Sequence, residues 1–337
     1  MEALLGKTLE ELQEIAISIG LQKFAGKQLA QWLYVQRVSS IDEMTNISLK
    51  GREALKAHYT VGRHAPVREA VSVDGTRKYL FAVGEQFIES VYIPEEDRAT
   101  LCVSTQAGCK MGCKFCMTGT LGFHGQLSAA EILNQIFYFD DLSNLVFMGE
   151  GEPMDNLDNV LRSLEIMTAE YGCAWSPKRI TVSTVGVPAM KRFLDESECH
   201  LAVSMHNAFA AERAQIMPAE KMMSISEVVQ LLKQYDWSHQ RRVSFEYICW
   251  HGQNDSIRHA KELLRLLKGL PCRINLIRFH AGVEDIKNER RFPASDEKQM
   301  EWFRDYLTQN GLTTTIRRSR GEDILAACGM LVNSLTR

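Results

Sequence analysis

No run in the 337 residues approaches the ~20 consecutive apolar side chains needed to cross a bilayer. The residues from Met1 to Glu10 also lack a basic stretch followed by a long apolar one, so no secretory leader is expected. Both absences point to a cytoplasmic protein with no membrane partner. Nine cysteines on so long a chain do not make the dense framework of a small secreted domain, and an odd number cannot all pair internally. Reduced thiols or metal ligands are the expectation. There is no charge excess either: 39 basic against 42 acidic residues leave −3, which gives no global attraction for nucleic acid. Any RNA contact must come from local clusters, such as Arg317, Arg318 and Arg320. Internal repeats and low-complexity segments are absent as well.

The chain does have an apolar content of 45%, enough for a substantial core, and a length that suits two domains or one large domain with an appendage. Thr8 followed three residues later by Glu11 reads as a capping box, and Leu12, Ile15, Ala16 and Ile19 continue it as one helical face. Leu29, Trp32 and Leu33 mark a second helix and Leu49 to Tyr59 a third. Residues 1–62 are therefore expected as a helical module, either a nucleic-acid-binding appendage or a structural cap. Residues 63–96 turn to β-branched and aromatic side chains around Asp74 and Gly75, a hairpin signal, and are expected as an antiparallel linker.

From 97 to 320, strand-like runs at 100–105, 145–148, 179–184, 200–205, 243–249, 273–279 and 313–318 alternate with helical periodicities such as Ile225, Val228, Val229 and Leu232. The alternation predicts an α/β fold with a parallel sheet, open or curled into a partial barrel. Ligands of such sheets gather at the carboxyl ends of the strands. There lie the cysteine loop, residues 149–153, Ser183, and the group Ser204, Met205 and His206.

Cys109, Cys113 and Cys116 follow the first of these strands with CxxxCxxC spacing, on a loop that includes Gly108 and Gly112. Three thiolates on one short loop suit a [4Fe–4S] cluster with one iron left open. A zinc ion would need a fourth ligand, for which His124 is the close candidate, and the spacing is not a usual zinc pattern. The cluster is the favoured reading, and an open iron suits a chelating cofactor. Gly151, Glu152 and Pro153 would alone be an ordinary strand-end turn; beside the cysteines, Gly151 permits close backbone approach and Glu152 offers an acceptor for a cofactor amino group.

This loop after the first strand of a β/α unit resembles the radical SAM superfamily, in which the open iron binds S-adenosylmethionine (SAM). More narrowly, residues 88–104, the cysteine loop, Gly151 to Pro153, Ser204 to His206, Ile274 to Ile277 and Arg320 to Gly329 resemble the RlmN/Cfr family of radical SAM RNA methyltransferases. Residues 1–62 resemble its accessory domain more weakly. The resemblance implies a radical SAM partial (β/α)6 barrel over 97–320 and a tail, 321–337, that carries a methyl-accepting cysteine, Cys328.

The implied reaction is methylation of an adenine of 23S rRNA at C2, an sp2 carbon too weakly nucleophilic to take a methyl group directly; C8, or an adenine of tRNA, is the alternative. One SAM methylates Cys328, and a second, at the same cluster, yields the radical that takes hydrogen from that methyl group. The resulting thiomethylene radical adds to the base, and Cys102 then attacks the Cys328 sulfur and releases product through a disulfide. Glu89 is implied as the proton acceptor, and Gly151, Glu152, Ser183, Ser204, Met205, His206 and His280 as SAM contacts. An RNA substrate, an electron donor such as flavodoxin or ferredoxin and a monomeric state complete the implication. The rival from another class is an RNA-binding protein with a structural Fe–S or zinc site.

Without the resemblance, Glu89 reads as a solvated hairpin charge, and Cys102 and Cys328 as incidental thiols. Cys173, Cys199, Cys249 and Cys272 match no motif and read as structural. Three positions depart from the family pattern: His280 stands for an asparagine, whose ability to donate and accept it shares, Glu150 for a methionine, and Met330 for a glutamine.

Overall fold

A computed structural model describes residues 1–237, 243–280 and 292–331. The capping box forms at Thr8 and opens α1 (Leu9–Ser18). α2 (Ala25–Ala30) runs into a wider π turn at Gln31–Val35, and α3 (Leu49–His58) begins at Ser48, whose hydroxyl accepts the Gly51 N–H. Two short parallel strands, β1 (Glu2–Ala3) and β2 (Tyr59–Thr60), close this module. Its apolar faces, with Leu12, Leu29, Leu33 and Leu55, merge into the main core rather than forming a separate one. Arg37 and Arg63 fasten it there by donating to the carbonyls of Phe139 and Phe137 at 2.8 and 2.7 Å.

The segment expected as a linker contributes three strands to the main sheet. β3 (Arg68–Val71), β4 (Arg77–Val83) and β5 (Gln86–Pro94) pair antiparallel, with Asp74 and Gly75 in the first turn, and β5 pairs antiparallel with β6 (Ala99–Cys102). A small separate sheet follows, formed by β7 (Gln106–Gly108) and β8 (Phe123–Gln126), with α4 (Met117–Leu121) between them. The main sheet continues in parallel and in chain order through β9 (Asn144–Phe147), β10 (Ile180–Thr184), β11 (His200–Ser204), β12 (Val243–Cys249), β13 (Cys272–Arg278) and β14 (Thr314–Ile316). Among the described residues β14 and β3 are its two open edges, giving an open, barrel-like α/β sheet of seven parallel and three antiparallel strands.

The helices between these strands start where the sequence offers caps. Ser128 with Glu131 opens α5 (Ala129–Phe137), and Ser224 with Glu227 opens a later helix at Ile225–Leu232. All seven residues of β12 are buried, as a parallel strand covered on both faces requires. No helix among the described residues is long and apolar enough to cross a membrane. The fold thereby brings the strand-end loops together at one end of the parallel sheet.

Candidate active site

The cysteine loop is held by its own backbone. The Cys109 N–H donates to the Gly122 carbonyl at 2.8 Å, which closes the loop at the β7–β8 pair. Gly108 has φ +70°, and a Cβ there would lie 2.0 Å from the Gly122 oxygen, so no other residue fits. Gly151 has φ +95°, and a Cβ there would meet the Gln106 side chain at 2.5 Å. Gln106 in turn accepts the Glu152 N–H at 2.8 Å. The turn after β9 is thus locked onto the strand that leads into the cysteines.

One cavity at the carboxyl ends of the strands is lined by Cys109, Cys113 and Cys116, by Gly151, Glu152, Ser183, Ser204 and His206, and by Cys102 and Cys328. No residue of the N-terminal module lines it. Burial pushes the Cys109 thiol up to about 12 and raises Cys113 and Cys116, and at Cys113 repulsion from the other two thiolates adds to it. Such a set favours a bound cation that keeps the sulfurs ionised. Among the described residues, no three His, Cys, Asp or Glu side chains are gathered closely enough for a single metal ion. Three buried thiols on one wall of an open cavity fit the larger [4Fe–4S] cluster.

Glu152 accepts the N–H groups of Val185 at 2.9 Å and Met154 at 3.2 Å, yet burial still pushes its carboxyl up to about 7. An ammonium group arriving beside it would restore the carboxylate. His206 sits at φ +55°, and its Nδ1 accepts the Ile248 N–H at 3.1 Å, so the neutral ring carries its proton on Nε2. Burial, with the charge of Arg213, holds its pKa down to about 3.

Cys102 is pushed up to about 12 by burial, with the charge of Cys328 adding to the shift. Both are free thiols, and Cys328 is exposed at the rim. Its segment is docked: the Met117 N–H donates to Gly329 O at 2.8 Å and the Thr118 hydroxyl to Leu331 O at 2.9 Å. Of the tail expected over 321–337, residues 332–337 lie outside the described residues.

Three predicted residues do not line the cavity. The Met205 side chain is buried, and its backbone serves as a support, with its N–H on Glu246 O at 3.0 Å and its carbonyl on the Arg213 guanidinium at 2.9 Å. His280 bonds Ser319 Oγ at 2.7 Å and lies 3.3 Å from a Glu322 carboxylate oxygen, at the base of the tail. Glu89 is no solvated charge: it is fully buried and paired with Lys78 at 3.1 Å.

In and beside the cavity, other side chains take partners that the sequence did not show. Arg317, read as part of a basic cluster, turns inward and donates to Glu246 Oε2 at 3.2 Å, while Asn275 donates to the other Glu246 oxygen at 2.7 Å. Burial alone would lower the Arg317 pKa, but the charges of Cys328, Glu246 and Cys102 outweigh that and raise it. Arg320 pairs with Asp74 at 3.9 Å, which leaves Arg318 as the exposed member of this cluster. A lone Glu246 in the apolar run of β12 was the available signal. Glu150 is a second buried acid, pushed up to about 8 by burial, whose oxygens accept the N–H groups of Glu89 at 2.8 Å and Gly108 at 3.2 Å.

Residues 3–61 match the model of the ribosomal RNA large subunit methyltransferase N-terminal domain, and residues 103–267 that of the radical SAM superfamily. A Phocaeicola vulgatus protein described as a probable dual-specificity RNA methyltransferase RlmN is 60% identical over 334 residues, covering 98% of this chain and 94% of that one. A protein of the same description from Porphyromonas gingivalis is 56% identical over 340 residues, covering 98% and 97%. The crystal structure of a radical SAM methyltransferase from Sphaerobacter thermophilus superposes with a TM-score of 0.91 at 36% identity, covering 98% of this chain and 99% of that one.

Proposed function

The chain belongs to the RlmN family of radical SAM RNA methyltransferases, and from that premise we propose that it methylates C2 of an adenine in 23S rRNA through Cys328, using two SAM per turnover. The observation that carries the reading is the convergence of Cys102 and Cys328, remote in sequence, on the cavity that also holds the three loop cysteines. When bound, a cluster held by Cys109, Cys113 and Cys116 supplies, with SAM, the one-electron chemistry that an unreactive aromatic carbon requires.

The chain's own residues do the rest. Cys328, exposed at the rim, accepts the methyl group and presents it to the base. Cys102 waits beneath as a protonated thiol, since burial holds it near 12. The Arg317 charge beside both sulfurs favours the thiolate when resolution begins. Glu152 meets the cofactor amino group, and His206 offers its Nε2–H to the cavity. Glu89 is the proton acceptor: it shares a face of β5 with Val91, which lines the cavity and pairs with Cys102.

An unstacked base of single-stranded RNA suits such a recessed site. The relatives' description as dual-specificity enzymes favours a second RNA, for which tRNA is the candidate. The working context is cytoplasmic, as a monomer with a flavodoxin or ferredoxin as reductant. Mass spectrometry of 23S rRNA and tRNA from cells with and without the gene tests the reading. Gene-dependent 2-methyladenosine in 23S rRNA is expected; 8-methyladenosine, or no gene-dependent mark on 23S rRNA, would overturn it.

A further inference from the structure

Lys78 is a fully buried ammonium near the start of β4. A charge so placed requires fixed partners, because desolvation otherwise costs several kcal/mol. Strand register supplies the first. Lys78 lies opposite Val91 on β5, so Glu89, two residues away on the same face, is its diagonal neighbour, and Nζ reaches Glu89 Oε1 at 3.1 Å. A second partner comes from the far end of the chain: Nζ also donates to the Leu325 carbonyl at 3.3 Å.

Leu325 sits in a tight turn three residues before Cys328. Its φ of +54° is a left-handed conformation that a leucine holds only when its surroundings impose it. The surroundings do so. The Ala326 N–H closes the turn on Gly321 O at 2.8 Å, and the β3–β4 turn grips it from outside. Asp74 accepts the Gly321 N–H at 3.1 Å, while Asp323 accepts the Ser72 hydroxyl at 2.5 Å and the Val73 N–H at 3.1 Å. The segment bearing Cys328 is therefore strung between the antiparallel strands at one end and α4 at the other.

We infer that Lys78 is a positioning residue that couples Glu89 to the Cys328 segment, one ammonium being shared by the carboxylate of the proton acceptor and the backbone of the turn that carries the methyl-accepting cysteine. The inference rests on the roles proposed above for Glu89 and Cys328. Among the described residues, the charged groups facing this point include Lys78 from β4, Glu89 from β5 and Glu150 from the turn after β9; the tail contributes a carbonyl, with Asp323 turned to Ser72 and Val73. While Glu89 is ionised, its charge fixes Lys78 in place under Leu325. Once Glu89 takes a proton, Lys78 stays charged but loses the carboxylate that fixes it, leaving a weaker ammonium–carboxylic acid hydrogen bond. The donor under the turn is then less firmly fixed, and the tail is loosened at the stage when Cys102 must reach the Cys328 sulfur.

Hydrogen exchange of the tail amides, followed by mass spectrometry on the full chain without cluster or SAM, tests this without relying on turnover. Lys78→Met should speed exchange over residues 322–329 by about tenfold, the loss of a charged hydrogen bond. Glu89→Gln should speed it a few-fold in the same segment, whereas Lys78→Arg should keep it close to the parent chain. Wild-type exchange in Glu89→Gln would overturn the coupling and leave Lys78 as an anchor alone. Wild-type exchange in Lys78→Met would overturn both. If Lys78→Met does not fold, Glu89→Gln and Lys78→Arg still decide the matter. RNA methylation by Cys328→Ala would remove the proposed roles of the cysteine while leaving the exchange result to stand, so the two failures are distinguishable.

Discussion

Two walls of one cavity are built differently. The wall with Cys109, Cys113 and Cys116 draws its thiols from eight consecutive residues, tied by backbone bonds from Cys109 to Gly122, Cys116 to Cys113 and Lys114 to Ile216. A second lining pair, Cys102 and Cys328, comes from β6 and from a tail whose contact with Lys78 spans 247 residues. A local loop keeps its geometry as long as its glycines and its strand pair persist. The composite wall exists only while the tail is docked, and its docking bonds run to the antiparallel strands and α4. Cofactor binding and methyl transfer should therefore fail separately under mutation.

The largest effect should come from the local wall. Anaerobically reconstituted protein is expected to carry about four iron and four sulfide per chain and to cleave SAM on reduction. Cys113→Ala should do neither and should lose all RNA methylation. Iron and sulfide analysis with a SAM-cleavage assay checks this, and stoichiometric zinc with no iron requirement would break the comparison at its root.

The composite wall should give arrest rather than loss of the cofactor. Cys328→Ala should retain the cluster yet never acquire a protein-bound methyl group. Cys102→Ala should acquire it and accumulate a covalent protein–RNA adduct, visible as a retarded band under denaturing conditions. Full turnover by either variant, or adducts in both, would mean that another residue carries the methyl group.

A smaller effect concerns pH at the cofactor wall, where the Phe115 ring packs edge-on against His206 at 4.7 Å. Because the folded pKa of His206, about 3, lies below the ordinary 6.5, the unfolded chain binds the extra proton between those values. Stability is thus fully present above pH 6.5 and falls as the pH drops, by about 1.4 kcal/mol per pH unit for this one group. His206→Asn, which tolerates the left-handed backbone, should remove that slope from urea midpoints measured between about pH 7 and 5. An unchanged slope would mean that the buried ring accepts a proton within the fold.

The smallest effect is expected at His280. Its bonds to Ser319 and Glu322 place it at the base of the tail, outside the lining of the cavity. His280→Ala should leave SAM affinity nearly unchanged and cost about 0.5–1.5 kcal/mol of tail docking, read as faster exchange near residue 320. A clear drop in SAM binding, with tail exchange unaltered, would return His280 to the cofactor wall.

Much of this architecture was legible from residue order. Every strand expected in the parallel sheet lies within three residues of its observed ends, because continuous apolar runs between helical periodicities are a local signal. The cysteine loop and the Gly151 turn were legible for the same reason: their spacing is itself the geometry. The β7–β8 pair was not, since Phe123, His124, Gly125 and Gln126 show no alternation and become a strand only by pairing with Gln106 to Gly108. Arg317 and Arg320 looked alike as members of a basic run, yet one enters the cavity and the other holds Asp74. Composition sets a charge on the chain; only tertiary contacts set its partner.

By itself, then, the sequence determined the strands of the parallel sheet, their order and the three-thiol loop, all of which depend on residues within a turn or two of one another. Only the tertiary structure decided that Glu89 is buried rather than solvated, that Lys78 contacts both it and the tail, and that His280 bonds Ser319 at the base of the tail. The reason is energetic: burying a charge is tolerated only where distant groups compensate it, and the cost and the compensation both arise when the chain closes.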